Sequence, residues 1–237
     1  MAFIHGKDTV VYFNESDYST YFSAVDLSAT ADVAESTTFG NTSKTYIAGE
    51  RDGTIGLTGF FDATADTQFA SVYGSSFNLV VGHDGITTGK RASFAKSLIT
   101  NYGVSSPVGD IVASSLDVQA DDGLHNGSVL INGAFTATAV QGSVQDNASS
   151  TSNGLGAFLI ATSVSGTSPT ADVKIQHSAD NSTWVDLVTF TQVTAASSEI
   201  KEVEAGTTIN RYLRVFNTIG GSSTPTVNAI VGISRNN

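Results

Sequence analysis

Apolar and polar residues alternate at every second position along most of this chain, the period of a β-strand with two different faces. The clearest case has apolar residues at every odd position from Val25 to Val33 and, between them, Asp26, Ser28, Thr30 and Asp32. This segment is predicted to be a long strand with one buried and one polar face. Because similar runs dominate, we predict an all-β fold.

One segment departs from this period and predicts a short helix. Asp62 or Thr64 can cap its first turn, because a side-chain oxygen there accepts a bond from a free amide. Gly74 can end it, since glycine adopts the left-handed conformation without strain. The apolar residues that would share one helix face are Phe69, Val72 and Tyr73. We therefore expect one short helix flanking the sheet.

Turn and strand signals divide the chain into two predicted β domains. Residues 1–143 form an N-terminal β-sandwich or barrel with the flanking helix. Residues 144–154, rich in Ser, Asn and Gly, are predicted to be a linker. Strands are predicted at 91–102, 110–120 and 128–135 before the linker. After it, short strands recur at 157–164, 171–177, 184–191, 199–203, 211–217 and 226–233, with a turn at Gly220-Gly221 between the last two, which predicts a small C-terminal β-sandwich over residues 155–237.

Charge and composition exclude several classes of function. The 237 residues carry 22 acidic and 11 basic side chains, a net charge of −11, and residues 1–135 hold 15 of the acidic and 6 of the basic ones. This excess disfavours gripping a phosphate backbone. Cysteine is absent, so there is no disulfide framework or thiolate metal site. No apolar run suggests a signal peptide or a membrane span, and we expect a soluble, unprocessed protein without a membrane partner.

The sequence offers no convincing catalytic, metal or cofactor site. The histidines, His5, His83, His125 and His177, have no partner at ligand spacing. A serine-hydrolase elbow is absent. The segment 121–123 lacks the ligand spacing of a calcium loop, and we predict a hydrated turn there. We expect a protein that is not an enzyme and that has no cofactor.

A connection of about twenty residues, 34–53, follows the long strand. Connections of that length are uncommon in compact domains unless they are functional or disordered. This one contains Phe39, Tyr46 and Ile47, which a flexible linker would not need. We interpret it as an arm that docks on another protein. The alternative is a loop folded back over its own domain.

The order of these elements resembles the tail tube proteins of long-tailed bacteriophages. The resemblance covers residues 1–135 and rests on layout and phrasing. Its matching pieces are an opening strand at 9–13, the long strand ending in Ala34-Glu35-Ser36-Thr37-Thr38-Phe39, the long loop, the run 52–62 leading into the helix, and the closing segments 102–110 and 115–120.

The resemblance implies a virion structural protein of the phage tail, made in the host bacterial cytoplasm. Such proteins form hexameric rings that stack and close a β-barrel around a channel for the genome. By this likeness Phe39, Tyr46 and Ile47 belong to the contact between rings. The strands 23–33 and 110–120 are candidates for the channel wall, and the candidate lining residues are Asp26, Ser28, Thr30 and Asp32. The implied partners are further copies, other tail proteins and DNA that passes without specific binding. The C-terminal half would be an extra module outside the tube.

Two other functions stay open at this stage. The protein could be a capsid decoration or head-fibre protein, in which the same loop braces capsid subunits. The C-terminal half could instead be a carbohydrate-binding surface module, using Trp184, Tyr212 and the turn at 180–182. We expect those two aromatic residues in a core, since aromatic side chains dominate sandwich interiors.

Overall fold

The structure is a computed structural model that describes residues 6–236, and almost all of its regular structure is antiparallel strand. The elements are β1 (Val10–Phe13), β2 (Ser16–Asp17), β3 (Phe22–Glu35), β4 (Tyr46–Phe60), α1 (Ala63–Val72), β5 (Phe77–Gly82), β6 (Arg91–Ser105), β7 (Ala113–Phe135), β8 (Ala139–Asp146), β9 (Leu155–Ser178), β10 (Val185–Thr189), β11 (Ser197–Val203) and β12 (Tyr212–Arg235), with 3-10 turns at Gly6–Asp8 and Ser19–Tyr21. The predicted all-β class with one short helix is confirmed.

Several predicted strands are parts of longer ones. β7 spans both the 110–120 and 128–135 predictions, and β9 and β12 each join two predicted strands. The predicted turns at 121–123 and Gly220-Gly221 are wrong. Positive φ angles at Asp122 (64°), Gly123 (89°) and Gly221 (109°) mark irregularities inside continuous strands. Such residues bend or bulge a strand without ending it.

Residue contacts divide the chain into two compact units. Among the described residues, unit 1 contains 6–19, 78–94 and 125–236, and unit 2 contains 20–77 and 95–124. This division differs from the predicted boundaries because the second half of β7 pairs with β12, from Val227 opposite Phe135 to Ile233 opposite Ser128. That residues 1–143 and residues 155–237 fold as independent domains stays a prediction.

The predicted linker, residues 144–154, is not a free tether. Its first three residues complete β8, which pairs with β12. Thr151 forms an isolated bridge with Ile209, with amide-to-carbonyl bonds of 3.0 and 2.8 Å in the two directions. Backbone hydrogen bonds thus hold the segment within unit 1.

The core of unit 1 comes mainly from β9 and β12. Its fully buried members include Leu155, Val173, Ile175, Leu213, Val215 and Val231, with Phe135 from β7. A second cluster surrounds Phe94 and Phe158, whose ring centroids lie 4.9 Å apart. Residues 155–237, the predicted C-terminal module, therefore supply most of the first of these two apolar clusters.

Unit 2 is a sheet that contains β3, β4 and the first half of β7. β4 lies between the other two and pairs antiparallel with both. Ile55 and Leu57 of β4 and Leu116 and Val118 of β7 are fully buried, whereas the residues between them are exposed or half-buried. The alternation of apolar and polar residues in the sequence thus corresponds to one buried and one exposed face of this sheet.

The helix α1 packs on the apolar side of unit 2. The Asp62 carboxylate accepts bonds from the amides of Thr64 (2.8 Å) and Ala65 (3.2 Å), which confirms Asp62 as the cap. Phe69 is buried, and its ring lies 5.8 Å from Phe22 and 5.9 Å from Tyr102. Tyr73, predicted on this face, is 55% exposed. No helix among residues 6–236 is long and apolar enough to cross a membrane.

We predict that Gly59→Ala destabilises the protein and that Gly56→Ala in the same strand does not. A Cβ at Gly59 would lie 1.8 Å from the Tyr21 carbonyl oxygen, whereas one at Gly56 would come no nearer than 3.8 Å to the Asp26 Cβ. Overpacking of this kind costs about 1–3 kcal/mol. Urea denaturation measures both variants, and equal midpoints would contradict the prediction.

Tyr102 anchors the sheet to the helix and makes stability depend on alkaline pH. Its hydroxyl donates to the Asp66 carboxylate at 2.6 Å, and burial together with that carboxylate raises the Tyr102 pKa from 10.0 to about 12. The unfolded chain therefore loses this proton first, so the contribution is present below pH 10 and is lost between pH 10 and 12.

We predict that Tyr102→Phe lowers the free energy of unfolding by about 1 kcal/mol at pH 8 and flattens its decline between pH 10 and 12. Tyr73→Phe, at an exposed ring, serves as the control and should change neither. Denaturant unfolding at a series of pH values measures the effect. A Tyr102→Phe curve parallel to that of the wild type would refute the assignment.

Candidate functional site

The strands of unit 2 share one polar face. Residues directly opposite each other in paired strands lie on the same face of a sheet. Asp26 of β3, Gly56 of β4 and Asp117 of β7 are in register, and so are Ser28, Thr54 and Gln119. Asp26, Ser28 and Asp117 are exposed, and Gln119 is half-buried. We call the exposed side formed by these six residues, together with Thr30 and Asp52, the polar face.

Charge on the polar face is acidic. Asp26, Asp52 and Asp117 lie on it, and Arg51, the only basic residue in β3, β4 and residues 113–124, is in register with Ala31 on the opposite face. Gln119 donates to the Asp52 carboxylate, and Asn101 donates to that of Asp117 at 2.9 Å. These neutral partners order the carboxylates without cancelling their charge.

A shallow groove of about 380 Å³ runs along the polar face. Asp26, Ser28, Thr54, Gly56 and Asp117 are among the residues that line it. The missing side chain at Gly56 leaves space between the two carboxylates in its row. Within residues 6–236 no group of three or more His, Asp or Glu side chains could hold a metal ion. The groove is thus lined mainly by carboxylate, hydroxyl and amide side chains together with backbone of the three strands.

Three of the four predicted channel residues lie together. Asp26, Ser28 and Thr30 follow one another on the polar face, opposite Gly56, Thr54 and Asp52. Asp32 is exposed but lies at a register shift, because Ala31 pairs with Arg51 and Val33 pairs with Ala48. Asp117 lies in the strand 110–120, which the resemblance makes a candidate for the channel wall, whereas the sequence pattern does not single out Asp52. The alternation of Ser115, Asp117 and Gln119 with apolar residues is the sequence signal that locates Asp117 on the polar face.

The predicted buried face of β3 is only partly buried. Val25 and Leu27 are half-buried, but Ala29, Ala31 and Val33 are exposed, Val33 by 65%. The apolar side of the sheet is covered as far as Gly53, which packs against the Leu124 side chain. A Cβ placed on Gly53 would lie only 2.7 Å from the Cβ of Leu124. Beyond that row the side chains on this side of β3 are exposed.

The predicted twenty-residue loop, 34–53, is mostly a β-hairpin. β3 continues to Glu35 and β4 begins at Tyr46, so the connection is only residues 36–45. The Ser36 amide donates to the Thr45 carbonyl at 2.8 Å, and Lys44 forms an ion pair with Glu35 at 2.9 Å, which lowers the Glu35 pKa. We call residues 29–52 the arm. The residues of its paired strands that favour extended backbone are Thr30, Val33, Tyr46 and Ile47.

The arm exposes a group of apolar side chains. Phe39 is fully exposed at the turn, Tyr46 is 55% exposed and Ile47 is 63% exposed. Tyr46 and Ile47 lie in β4 and not in a loop. The alternative in which this segment folds back over its own domain is wrong, because these side chains would then be covered. Exposed apolar side chains of this size, grouped on one segment, are typical of an interaction site.

β3 has an open edge. It pairs with β4 over its length, and no other strand among residues 6–236 pairs with it. Its 14 residues therefore present a row of backbone amide and carbonyl groups that only water can satisfy in the isolated chain. A long edge of this kind is a template for another strand.

The described histidines do not converge. His125 contacts Glu202 at 2.8 Å, the His177 ring accepts from the Asn210 amide at 3.2 Å, and His5 lies outside the described residues. His83 lies 3.0 Å from the Ser93 hydroxyl, but that buried hydroxyl donates to Asn126 at 2.6 Å. Ser93 thus accepts from His83, the reverse of what a nucleophile and its base require.

Trp184 and Tyr212, expected in the core, are only half-buried. The Arg214 guanidinium lies 4.1 Å from the Trp184 ring centroid, and Arg211 lies 4.9 Å from that of Tyr212. One face of each ring is therefore occupied by a cation. The Asp180 carboxylate accepts the amides of Ser182 and Thr183, which lowers its pKa and uses it within its own turn.

Comparisons with known proteins give neighbours only among solved structures. No family model matches the chain, and no curated protein matches it. A chain from the virion of a native gene transfer agent (GTA) particle is similar, with a TM-score of 0.44, 16% identity and coverage of 51% of this chain and 95% of that one. A chain of the SPP1 tail tube has a TM-score of 0.44, 14% identity and coverage of 54% and 80%.

A chain of the anti-feeding prophage (AFP) baseplate is also similar, with a TM-score of 0.39, 14% identity and coverage of 51% of this chain and 91% of that one. Roughly half of this chain is thus matched by each of these three structures. The predicted extra C-terminal module stays a prediction. The chain is thus similar to chains of a gene transfer agent virion, a tail tube and a baseplate.

Proposed function

We propose that this protein is the structural subunit of a bacteriophage tail tube, which assembles into stacked rings around an acidic channel. The observation that carries the proposal is the acidic polar face of β3, β4 and β7, bounded by the open edge of β3. No catalytic group is part of this role, and the protein acts through assembly.

The open edge of β3 supplies the physical reason for a ring. Another copy of the same sheet, placed beside β3, satisfies its unpaired amide and carbonyl groups. Repetition of that step closes a barrel, which has no edges left. Six copies per ring is the stoichiometry that the sequence resemblance implies, and we include it in the proposal.

Ring closure also accounts for both faces of β3. The polar face turns towards a water-filled channel, where Ser28, Thr30 and Asp26 remain hydrated. The apolar side, where Ala29, Ala31 and Val33 are exposed in the isolated chain, becomes covered by neighbouring copies. Burial of apolar area at about 25 cal/mol per Å² then favours assembly.

An acidic channel suits the passage of DNA. Carboxylates repel phosphates, and this repulsion extends about 8 Å at physiological ionic strength. A basic wall would instead bind DNA by releasing counterions. The DNA is therefore kept in the water-filled centre of the channel and can move along it.

The remaining parts of the proposal concern location and partners. The protein belongs to the virion tail, is made in the host cytoplasm, and contacts other tail proteins at the two ends of the tube. Residues 155–237 form a module on the outside of the tube. The protein needs no cofactor and no membrane.

We predict that the purified protein forms stacked rings with a central channel when it is concentrated. The arm is needed for stacking, so replacement of residues 36–45 by Asn-Gly should reduce tube length at least tenfold. Such a two-residue turn is able to connect β3 and β4 and preserve the hairpin. Electron microscopy measures the lengths, and tubes of normal length from this variant would contradict the role of the arm.

Labelling of the protein in native particles tests its location. A label on the tail supports the proposal, and a label on the head would instead favour capsid decoration.

We predict that Asp26→Lys makes assembled tubes retain DNA, in a manner that weakens as salt is raised. Glu204→Lys is the matched control, because it changes the net charge equally at an exposed residue outside β3, β4 and β7. Filter binding of short duplex DNA to assembled tubes measures retention. Equal retention by both variants would show that Asp26 does not face the channel.

A further inference from the structure

A second group of exposed apolar side chains lies in unit 2, at the end of β4 that is away from the arm. Phe60 is 52% exposed, Val104 47%, Ile111 63% and Val108 fully exposed. Phe60 ends β4, Val104 lies at the end of β6, and the other two belong to the connection from β6 to β7. We call these four residues the base patch. Nothing in the proposed ring closure along β3 uses it.

The backbone around the base patch is ordered. The Phe61 amide donates to the Val112 carbonyl at 2.9 Å, and Phe60 is in register with Ala113. The Asp110 carboxylate accepts the neighbouring amide of Ile111 at 2.7 Å. Beside the patch, a groove of about 190 Å³ lies between Thr58, the residues 103–105 and the start of β7. These apolar side chains are therefore presented by hydrogen-bonded structure.

The base patch and the apolar side chains of the arm lie at opposite ends of one strand. Tyr46 begins β4 and Phe60 ends it. At about 3.3 Å per residue the two ends are roughly 45 Å apart. One copy therefore cannot bring its own arm onto its own base patch. A second copy, moved along the strand direction, can.

We propose that the arm of one copy docks its Phe39, Tyr46 and Ile47 side chains on the base patch of a copy in the next ring. This inference rests on the proposed function and names the surface that receives the arm. Two different surfaces of the same chain in head-to-tail contact generate an open filament, which is the symmetry that a tube of stacked rings requires.

Charge on the two surfaces is compatible with this contact. On the arm, Lys44 and Glu35 pair with each other, so the turn that carries Phe39 has no net charge from them. Asp110, the acidic residue in the connection that forms the base patch, has a carboxylate oxygen occupied by a local amide. The Asp110 carboxylate keeps its charge, so it must stay at the hydrated edge of the contact while the apolar side chains pack, because burying an unpaired charge is costly. A tip-to-tip pair of arms would use the same apolar residues but would end the assembly at two rings.

Disulfide cross-linking tests the contact, because the chain has no cysteine of its own. In assembled tubes of the variant Phe39→Cys with Val108→Cys, oxidation should yield a ladder of covalent multimers on a denaturing gel. The matched control is Phe39→Cys with Val185→Cys, which places the second thiol on an exposed residue of unit 1. That control should stay monomeric on the gel.

Charge variants test the same contact without cysteine. Phe39→Asp alone and Val108→Lys alone should each shorten tubes at least tenfold, and the two changes together should restore stacking through an opposite-charge pair. Stacked rings without the ladder and without rescue would overturn this docking and leave the proposed function intact. A wild-type protein that forms no rings would overturn both.

Discussion

The constraint on which the rest of the account depends is that backbone amide and carbonyl groups must be hydrogen-bonded. β3 satisfies this along one edge only, through β4. Along the other edge, water must supply every bond in the isolated chain, and burial becomes possible only when a strand from another molecule takes the place of that water. The polar face, the uncovered alanines and the arm are all found on or beside this strand, so one act of pairing affects all of them.

The sheet that presents β3 is held by tight local packing. Gly59 lets β4 pass against the Tyr21 carbonyl. The helix α1 covers the apolar side with Phe69 and accepts a hydrogen bond at Asp66 from the Tyr102 hydroxyl of β6. These contacts fix the side chains that alternate between the two faces. An acidic face can therefore be formed from residues distant in the sequence, such as Asp26 and Asp117, without any contact between their side chains.

Sequence pattern predicted the parts of this structure that follow from local chemistry. The period of two located β3, and a carboxylate before the helix located its cap at Asp62. Residues 34–53, which form most of the arm, are predicted as a loop because they are rich in Thr, Ser and Gly and show no sustained alternation. The irregularity at Asp122 was predicted as a turn, since a bulge and a turn require the same residue types. The division into units escaped prediction because β7 and β12 pair across almost a hundred residues of sequence.

Amide hydrogen exchange along β3 tests the central claim most directly. In the dissociated subunit, amides that bond to β4 should exchange slowly, and the alternate amides on the open edge should exchange at nearly unprotected rates. In the assembled particle both sets should be slow, because a strand from the next copy now accepts the second set. If the open-edge amides stay fast in the assembled particle, β3 is not closed by a neighbour and the account is contradicted.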